Sequence, residues 1–431
     1  MTPDPRASRR VIRTYLVTQA LFTLAASMIW GINTLFLMDA GLDIFQVMLV
    51  NAAFTAGSLV FEVPTGVIAD TVGRKVSFMF GIGTLFVSTL LYVGTARYGW
   101  GIGAFAGASV LLGLGYTFQT GAVDAWLVDA LDATGYEPPK ERVFGWGGAT
   151  FSTAMLVGTL AGGALGQIDL ALPYVVRSAI LAVCMVVTAV MMRDMGFEPR
   201  PLKVSTFGEE TRKLLRTGVT YGWGHPVVRP LLLVSGVSGV FMMYSFYSLQ
   251  RYALDLLGRE LVWVIGVLTA AASLAGIMGN LLAGRVMGTG EARRRAAPVL
   301  AVAQLVLAVL IAVMAAVGLL TRQPGIVPFA LVGVLWLAWG VLFGFAGPIR
   351  QAYLNEQIPS EQRATVLSLD AFFGDAGACV GQPGLGWLSK AVSIPAAWAV
   401  GSVLLLAGFP LYRAAGKGEG TAEATRPGEV G

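Results

Sequence analysis

The sequence predicts an all-α integral membrane protein, with twelve transmembrane helices in two pseudo-symmetric six-helix bundles. Three observations carry that expectation. The first is composition: of 431 residues, 55% are hydrophobic and only 13% charged, with a mean hydropathy of +0.70, whereas a soluble domain carries about 25% charged residues. The second is run length. A spanning helix needs about 20 apolar residues and a spanning strand only about ten, and the apolar runs here reach the helical length, which excludes a barrel. The third is an internal repeat. Gly121-Ala-Val-Asp124-Ala-Trp-Leu-Val-Asp129 aligns with Gly347-Pro-Ile-Arg350-Gln-Ala-Tyr-Leu-Asn355, and Glu141-Arg142 with Gln362-Arg363, the pattern of two parallel six-helix halves.

In chain order, residues 1–12 form a short N-terminal tail. The apolar runs of the first bundle, 13–193, fall at about 13–37, 44–69, 76–95, 101–128, 143–166 and 172–193. Residues 194–228 carry Pro199, Pro201 and a polar stretch through Glu209, Glu210 and Arg212, and are expected to link the halves. The second bundle, 229–413, has runs at about 229–252, 261–286, 296–320, 326–355, 362–389 and 394–413. Residues 414–431, rich in Gly, Glu, Ala and Thr, are expected to be a disordered tail. The first run is too long for a signal peptide and is followed at once by further spans, so it is expected to be retained. Placing both termini in the cytoplasm puts most of the 30 Lys and Arg on that side and leaves Arg97, Arg251, Arg259, Arg322 and Lys390 opposite. This is the bias expected of a multi-pass protein of the inner or plasma membrane.

Composition also excludes function classes. Cys184 and Cys379 each lie inside an apolar run and His225 is the sole histidine. Disulfide frameworks, thiolate or histidine metal sites, catalytic triads and histidine proton relays are therefore not expected. Gly288-Thr-Gly-Glu-Ala-Arg-Arg-Arg lacks the Gly-Lys-Ser/Thr ending of a nucleotide loop, and no segment between spans is long enough for an ATPase domain. No enzyme activity, cofactor, metal or nucleic-acid partner is expected. The net charge of +5 reads as cytoplasmic-side bias.

The most informative segment is Phe61-Glu62-Val63-Pro64-Thr65-Gly66-Val67-Ile68-Ala69-Asp70-Thr71-Val72-Gly73-Arg74-Lys75, between the second and third spans. Its Gly-x-x-x-Asp-x-x-Gly-Arg-Lys core resembles the loop signature of the major facilitator superfamily. That resemblance implies a conformational latch of Gly66, Asp70, Gly73, Arg74 and Lys75. Asp70 would lie near the start of the eleventh helix, and Arg74 would reach Asp124 or Asp129. The matching loop Ala283-Gly-Arg285-Val-Met-Gly288 keeps the small residues but lacks the acid, so the latch is one-sided. Glycines at 374, 377, 381 and 386, and at 158, 162, 163 and 166, are loosely similar to the antiporter motif of drug-exporting facilitators. The fifth span lacks that motif's proline, and Val110-Leu-Leu-Gly-Leu-Gly-Tyr116 lacks the arginine such exporters carry. Gly121-Ala-Val-Asp-Ala-Trp126 looks like a subgroup of bacterial facilitators described as efflux proteins.

Charges within spans are costly unless paired or wetted. Glu62, about 12 Å along a helix from Asp70, and Asp375 are candidate proton carriers. Arg350 and Asp370 flank the turn at Pro359-Ser360 almost symmetrically and are expected to form a structural ion pair. Arg177 is read as structural. The resemblance implies a cavity lined by the first, fourth, seventh and tenth helices. Their midpoints carry Trp30 and Asn33, Tyr116 and Gln119, Tyr244 and Tyr247, and Trp336, Trp339 and Phe343, in sets at spacings of three or four that share helix faces. Such a wall suits a bulky amphipathic molecule. The expected function is proton-coupled export of a drug or secondary metabolite by rocking of the halves, with substrate, protons and membrane lipids as partners and the chain a monomer. Uptake of an organic or lipid-like solute, and a non-transporting receptor or scaffold, are the alternatives.

Overall fold

The computed structural model describes residues 4–119, 121–197, 222–258, 261–287, 295–321 and 323–425. Most of the expected linker, much of the Gly288–Arg295 turn and the last six residues lie outside that set.

The first helix, α1 (Pro5–Ser27), begins eight residues before its expected span. Asp4 explains the early start: its carboxylate accepts the Arg6 and Ala7 amides and Pro5 sits at the first helical position, both favourable for a helix start. The tail expected at 1–12 is therefore helical from Pro5. The run expected as one span over 13–37 is in two pieces, α1 and α2 (Asn33–Asp39). Between them Trp30 and Ile32 donate to Ser27 and Ile29 in tight i to i−3 turns. Two α1 carbonyls, those of Ala25 and Ala26, accept instead from the Arg177 guanidinium at 3.1 and 3.3 Å. Ser27 turns its hydroxyl back onto the Thr23 carbonyl at 2.8 Å, a local competitor of helix continuation.

The following elements are α3 (Ile44–Val72), α4 (Arg74–Tyr98), α5 (Ile102–Thr117), α6 (Ala122–Ala133), α7 (Glu141–Ile168) and α8 (Leu172–Met191). The fourth span is interrupted between α5 and α6, where Gly121 takes φ +73°, a conformation that favours glycine. Its repeat counterpart, Gly347, lies inside a continuous helix. The second half follows as α9 (Val228–Leu257), α10 (Val262–Val286), α11 (Ala296–Leu320), α12 (Ile326–Glu356), α13 (Arg363–Ala391), α14 (Ile394–Leu406) and α15 (Gly408–Thr425). Eleven stretches of described helix are long and apolar enough to cross a membrane; the first of the twelve expected runs, which is in two pieces, is not among them. Residues 414–425, expected to be disordered, continue α15. Ala, Glu and Lys favour helix there, Ala415 is fully buried, and Glu419 accepts from Tyr353 and Gln357 at 3.4 Å.

The chain divides into two compact units, residues 1–42 with 49–207 and 259–270, and residues 43–48 with 208–258 and 271–431. The first has a core around Trp126, Phe78, Leu127 and Leu181. The second has its core around Leu231, Tyr353, Leu369 and Tyr412. Within it α9 and α13 meet backbone to backbone. A Cβ on Gly377 would fall on the Gly236 carbonyl, and one on Gly381 on that of Val240. Small residues alone permit such an approach between membrane helices.

Candidate functional site

That crossing carries one wall of a cavity of about 530 Å³ inside the second unit. α9 contributes Ser235, Phe241, Met242 and Met243, α12 contributes Trp339, Phe343 and Arg350, and α13 contributes Asp370, Gly374 and Asp375; Gln304 of α11 and Tyr412 of α15 complete it. The volume is that of a pocket for a drug-sized molecule, and such pockets are mostly apolar with a few placed polar groups.

Arg350 and Asp370 are an ion pair. The guanidinium donates to Asp370 Oδ2 at 2.9 Å and Oδ1 at 2.6 Å, a two-pronged geometry that only arginine provides. Its remaining reach is spent on the Leu231 carbonyl at 3.0 Å and the Ser235 hydroxyl, while Ser235 donates to Asp370 at 2.6 Å. The pair thereby ties α9, α12 and α13 together. Its side chains are only 19% and 15% exposed. Asp375, five residues beyond Asp370, is half-buried on the same cavity. Among the described residues it has no cation partner.

The aromatic set on α12 is a ladder. Trp336 stacks on Trp339 with centroids 5.0 Å apart and planes at 8°, and Trp339 stacks on Phe343 at 5.0 Å and 12°. Trp339 and Phe343 line the cavity and Trp336 backs them. Tyr244 and Tyr247 do not line it. Tyr244 is fully buried, 2.5 Å from the Ser389 hydroxyl, and Tyr247 packs edge-on against Phe246 at 5.4 Å.

The other expected contact residues belong to the first unit, in a buried polar and aromatic network. Asn33 donates to Asn51 at 2.9 Å and accepts from Tyr174 at 2.8 Å. Tyr116 sits edge-on between Phe22 and Phe54, 5.9 and 5.7 Å away. Gln119 lies in the turn after α5, and Trp30 in the break after α1. Arg177, fully buried, donates to Thr89 at 3.0 Å as well as to the α1 carbonyls and stands 6.0 Å from the centroid of the Tyr116 ring. Glu62 is exposed on α3 rather than buried.

The signature loop folds around Gly73, whose φ of +120° starts α4. Asp70 pairs with Arg74 at 2.6 Å, one helical turn on, and Arg74 Nε lies 3.9 Å from Asp129. Asp124 instead accepts the Tyr15 hydroxyl at 3.2 Å. Gly66 leaves open space beside it. Two groups that sequence reasoning missed complete the loop. Asp194 accepts the Lys75 amide at 3.0 Å, and the Ala189 carbonyl at the end of α8 accepts Lys75 Nζ at 2.7 Å. Burial raises the Asp194 carboxyl above its usual range, with the nearby Asp129 acting in the same direction, against the lowering effect of the Lys75 amide and of the Lys75 and Arg74 charges. Asp43, before α3, behaves oppositely. Burial would raise its carboxyl, but the hydrogen bond from Lys390 at 2.8 Å and the backbone donors of Gln46 and Phe45 outweigh it and hold it low.

The comparisons with known proteins agree with this architecture. The family model of the Major Facilitator Superfamily matches residues 15–382. The chain belongs to the major facilitator superfamily. It is therefore a multi-pass membrane protein of a transporter family. A POT family transporter solved with 5-aminolevulinic acid has the same fold, at TM-score 0.74 and 12% identity over 96% of each chain. The nucleoside transporter NupG gives 0.72 and 11% identity, over 94% of this chain and 99% of that one. A peptide transporter POT solved with sulfate gives 0.71 and 14% identity over 93% of each. No curated protein matches the sequence.

Proposed function

We propose that this facilitator is a secondary active transporter that exports a hydrophobic or amphipathic small molecule in exchange for protons. It works from the inner or plasma membrane with both termini cytoplasmic, as a monomer that rocks its halves in alternating access. The observation that carries the reading is the cavity of the second unit. Arg350 and Asp370 neutralise each other there, Trp339, Phe343 and the methionines supply apolar surface, and Asp375 is left as a lone carboxylate. A carboxylate inside a span is expensive unless it works, and one that alternates between protonated and ionised forms couples solute movement to a proton gradient. The loop around Gly73 is the proposed latch, with Asp70, Arg74 and Asp129 as its ionic part.

The test is flux in proteoliposomes with the neutral fluorescent amphiphile N-phenyl-1-naphthylamine. Under an imposed pH gradient the wild type moves the probe against its concentration and protons flow in the opposite sense. Asp375→Asn removes the dependence on the gradient, whereas Glu62→Gln retains it. Probe and protons moving together would establish uptake instead, and binding without flux would establish a receptor; either overturns the export reading.

A further inference from the structure

The first unit carries a hollow of its own, of about 440 Å³, between α1 and α7. Ala20, Leu21 and Leu24 of α1 and Ala149, Thr153 and Val157 of α7 line it, none of them charged. The helices run parallel and touch at either end of this stretch. A Cβ on Gly147 would fall on the Tyr15 ring, and one on Gly158 on the Ser27 side chain and the Leu24 carbonyl. Between those contacts the α7 side chains are too short to close the gap. Toward the ends where both helices begin, the same faces turn basic. Arg9, Arg10 and Arg13 precede Ala20, Leu21 and Leu24 by eleven residues each, and Arg142 and Trp146 precede Thr153 and Val157 by the same interval. Eleven residues is about three helical turns, so each pair shares a face. The four arginines are exposed, and among the described residues none of them pairs with a carboxylate. The first turn of α1 holds no acid, and Asp4 is spent on the Arg6 and Ala7 amides. Arg142 lies over the Trp146 ring, 5.1 Å from its centroid, which fixes the guanidinium and leaves its N–H edge free to donate.

We propose that this hollow holds one acyl chain of an anionic glycerophospholipid, whose phosphate is taken by Arg9, Arg10, Arg13 and Arg142. The depth fits. Seven residues separate Arg13 from Ala20 and Arg142 from Ala149, about 10 Å of helix, against an interfacial layer of about 5–8 Å between headgroups and hydrocarbon. Arginine forks hold phosphate oxygens two at a time, and the start of α1 adds the positive end of its macrodipole. Trp146 and Phe144, both exposed, stand at the level where aromatic side chains favour the membrane interface. A lipid without net negative charge would leave the four cations uncompensated, and an anion without a chain would leave the hollow unfilled. The site shares no residue with the cavity of the second unit and stands whether or not that cavity takes solute.

The experiment is native mass spectrometry of the full-length protein, delipidated in detergent and titrated with three probes. They are palmitoyl-oleoyl phosphatidylglycerol, the phosphatidylcholine of the same chains, and glycerol 3-phosphate, which has the phosphate and no chain. The wild type is expected to bind phosphatidylglycerol roughly tenfold more tightly than phosphatidylcholine, as a cluster of arginines at an anionic headgroup predicts, and not to bind glycerol 3-phosphate at concentrations that saturate the lipid site. Arg9→Gln, Arg10→Gln and Arg13→Gln together bring phosphatidylglycerol down to the phosphatidylcholine level, whereas lysines at the three positions keep most of the preference. Ala149→Leu, alone or with Thr153→Leu, fills the hollow from exposed positions and weakens both lipids; an unfolding midpoint equal to that of the wild type shows that these variants fold. Equal affinity of the wild type for the two lipids would overturn the proposal. So would glycerol 3-phosphate displacing phosphatidylglycerol at similar concentration, which would mark a headgroup site only, or lipid affinities unmoved by filling the hollow, which would mark surface attraction without a seated chain.

Discussion

Asp370→Asn isolates the ionic tie of the second half. The substitution keeps the shape of the side chain but leaves the Arg350 guanidinium without its counter-charge, among Leu231, Ser235 and the cavity wall. Removing one member of a buried pair costs about 3–5 kcal/mol. The side chains here are 19% and 15% exposed and border a cavity, so the lower end, about 3 kcal/mol, applies. For a unit the size of one half, each kcal/mol moves the midpoint by roughly 2–4 °C, so thermal unfolding of the detergent-solubilised protein should fall by roughly 6–12 °C. Arg350→Met alone should cost a similar amount, because it leaves the carboxylate. The double variant, Arg350→Met with Asp370→Leu, should recover most of the loss, since apolar replacement of a whole buried pair is often neutral or stabilising by about 1–4 kcal/mol. The cycle therefore predicts a coupling of several kcal/mol. Unchanged midpoints for the single variants, or a double variant that loses the sum of both, would refute the claim that these residues act as a pair.

Three further expectations follow from particular contacts. Gly381→Ala places a methyl on the Val240 carbonyl and should lower yield and unfolding midpoint, whereas Gly384→Ala, three residues on and facing open space, should be neutral or gain up to about 1 kcal/mol from helix propensity. Arg177→Met releases the Ala25 and Ala26 carbonyls and the Thr89 hydroxyl, each an acceptor whose loss of a buried donor costs about 1–3 kcal/mol; Arg177→Lys should not rescue it, because a single ammonium lacks the spread of the fork. For Asp43, held low by Lys390 and backbone donors, the contact contributes above the ordinary carboxylate range and is lost as pH falls through the lowered folded value. Thermal scans from neutral to acid pH should show wild type and Asp43→Asn converging at the acid end.

The spans were legible because hydropathy and length are properties of the chain alone. Those of the second half begin and end within a few residues of the expected places, save the last, which continues into α15. The first and fourth spans break for reasons a local reading does not contain. Arg177, more than 140 residues downstream, takes the α1 carbonyls, and Gly121 adopts a φ that its composition permits but does not require. The same division holds at the cavity. Arg350, Asp370 and Asp375 stood out because charge is rare in apolar runs, and Trp339 and Phe343 because they share a face. Ser235, Met242 and Tyr412 carried no such mark, although Ser235-Gly-Val-Ser-Gly239 was readable as a stripe of small residues opposite the glycines of α13. Helical spacing placed Tyr244 and Tyr247 on one helix without revealing that Ser389 and Phe246 occupy them. Asp194 lay hidden in the stretch taken as linker.

The most direct test of the central claim, that solute sits in the cavity of the second half, is covalent mapping. A diazirine analogue of N-phenyl-1-naphthylamine is photolysed with the protein in liposomes, and the labelled peptides are identified by mass spectrometry. The account predicts labelling at Phe241 to Met243, Trp339 to Phe343 and Asp370 to Ala378, competed away by unmodified amphiphile. Competed labelling confined to other helices, with those three segments clean, would contradict it.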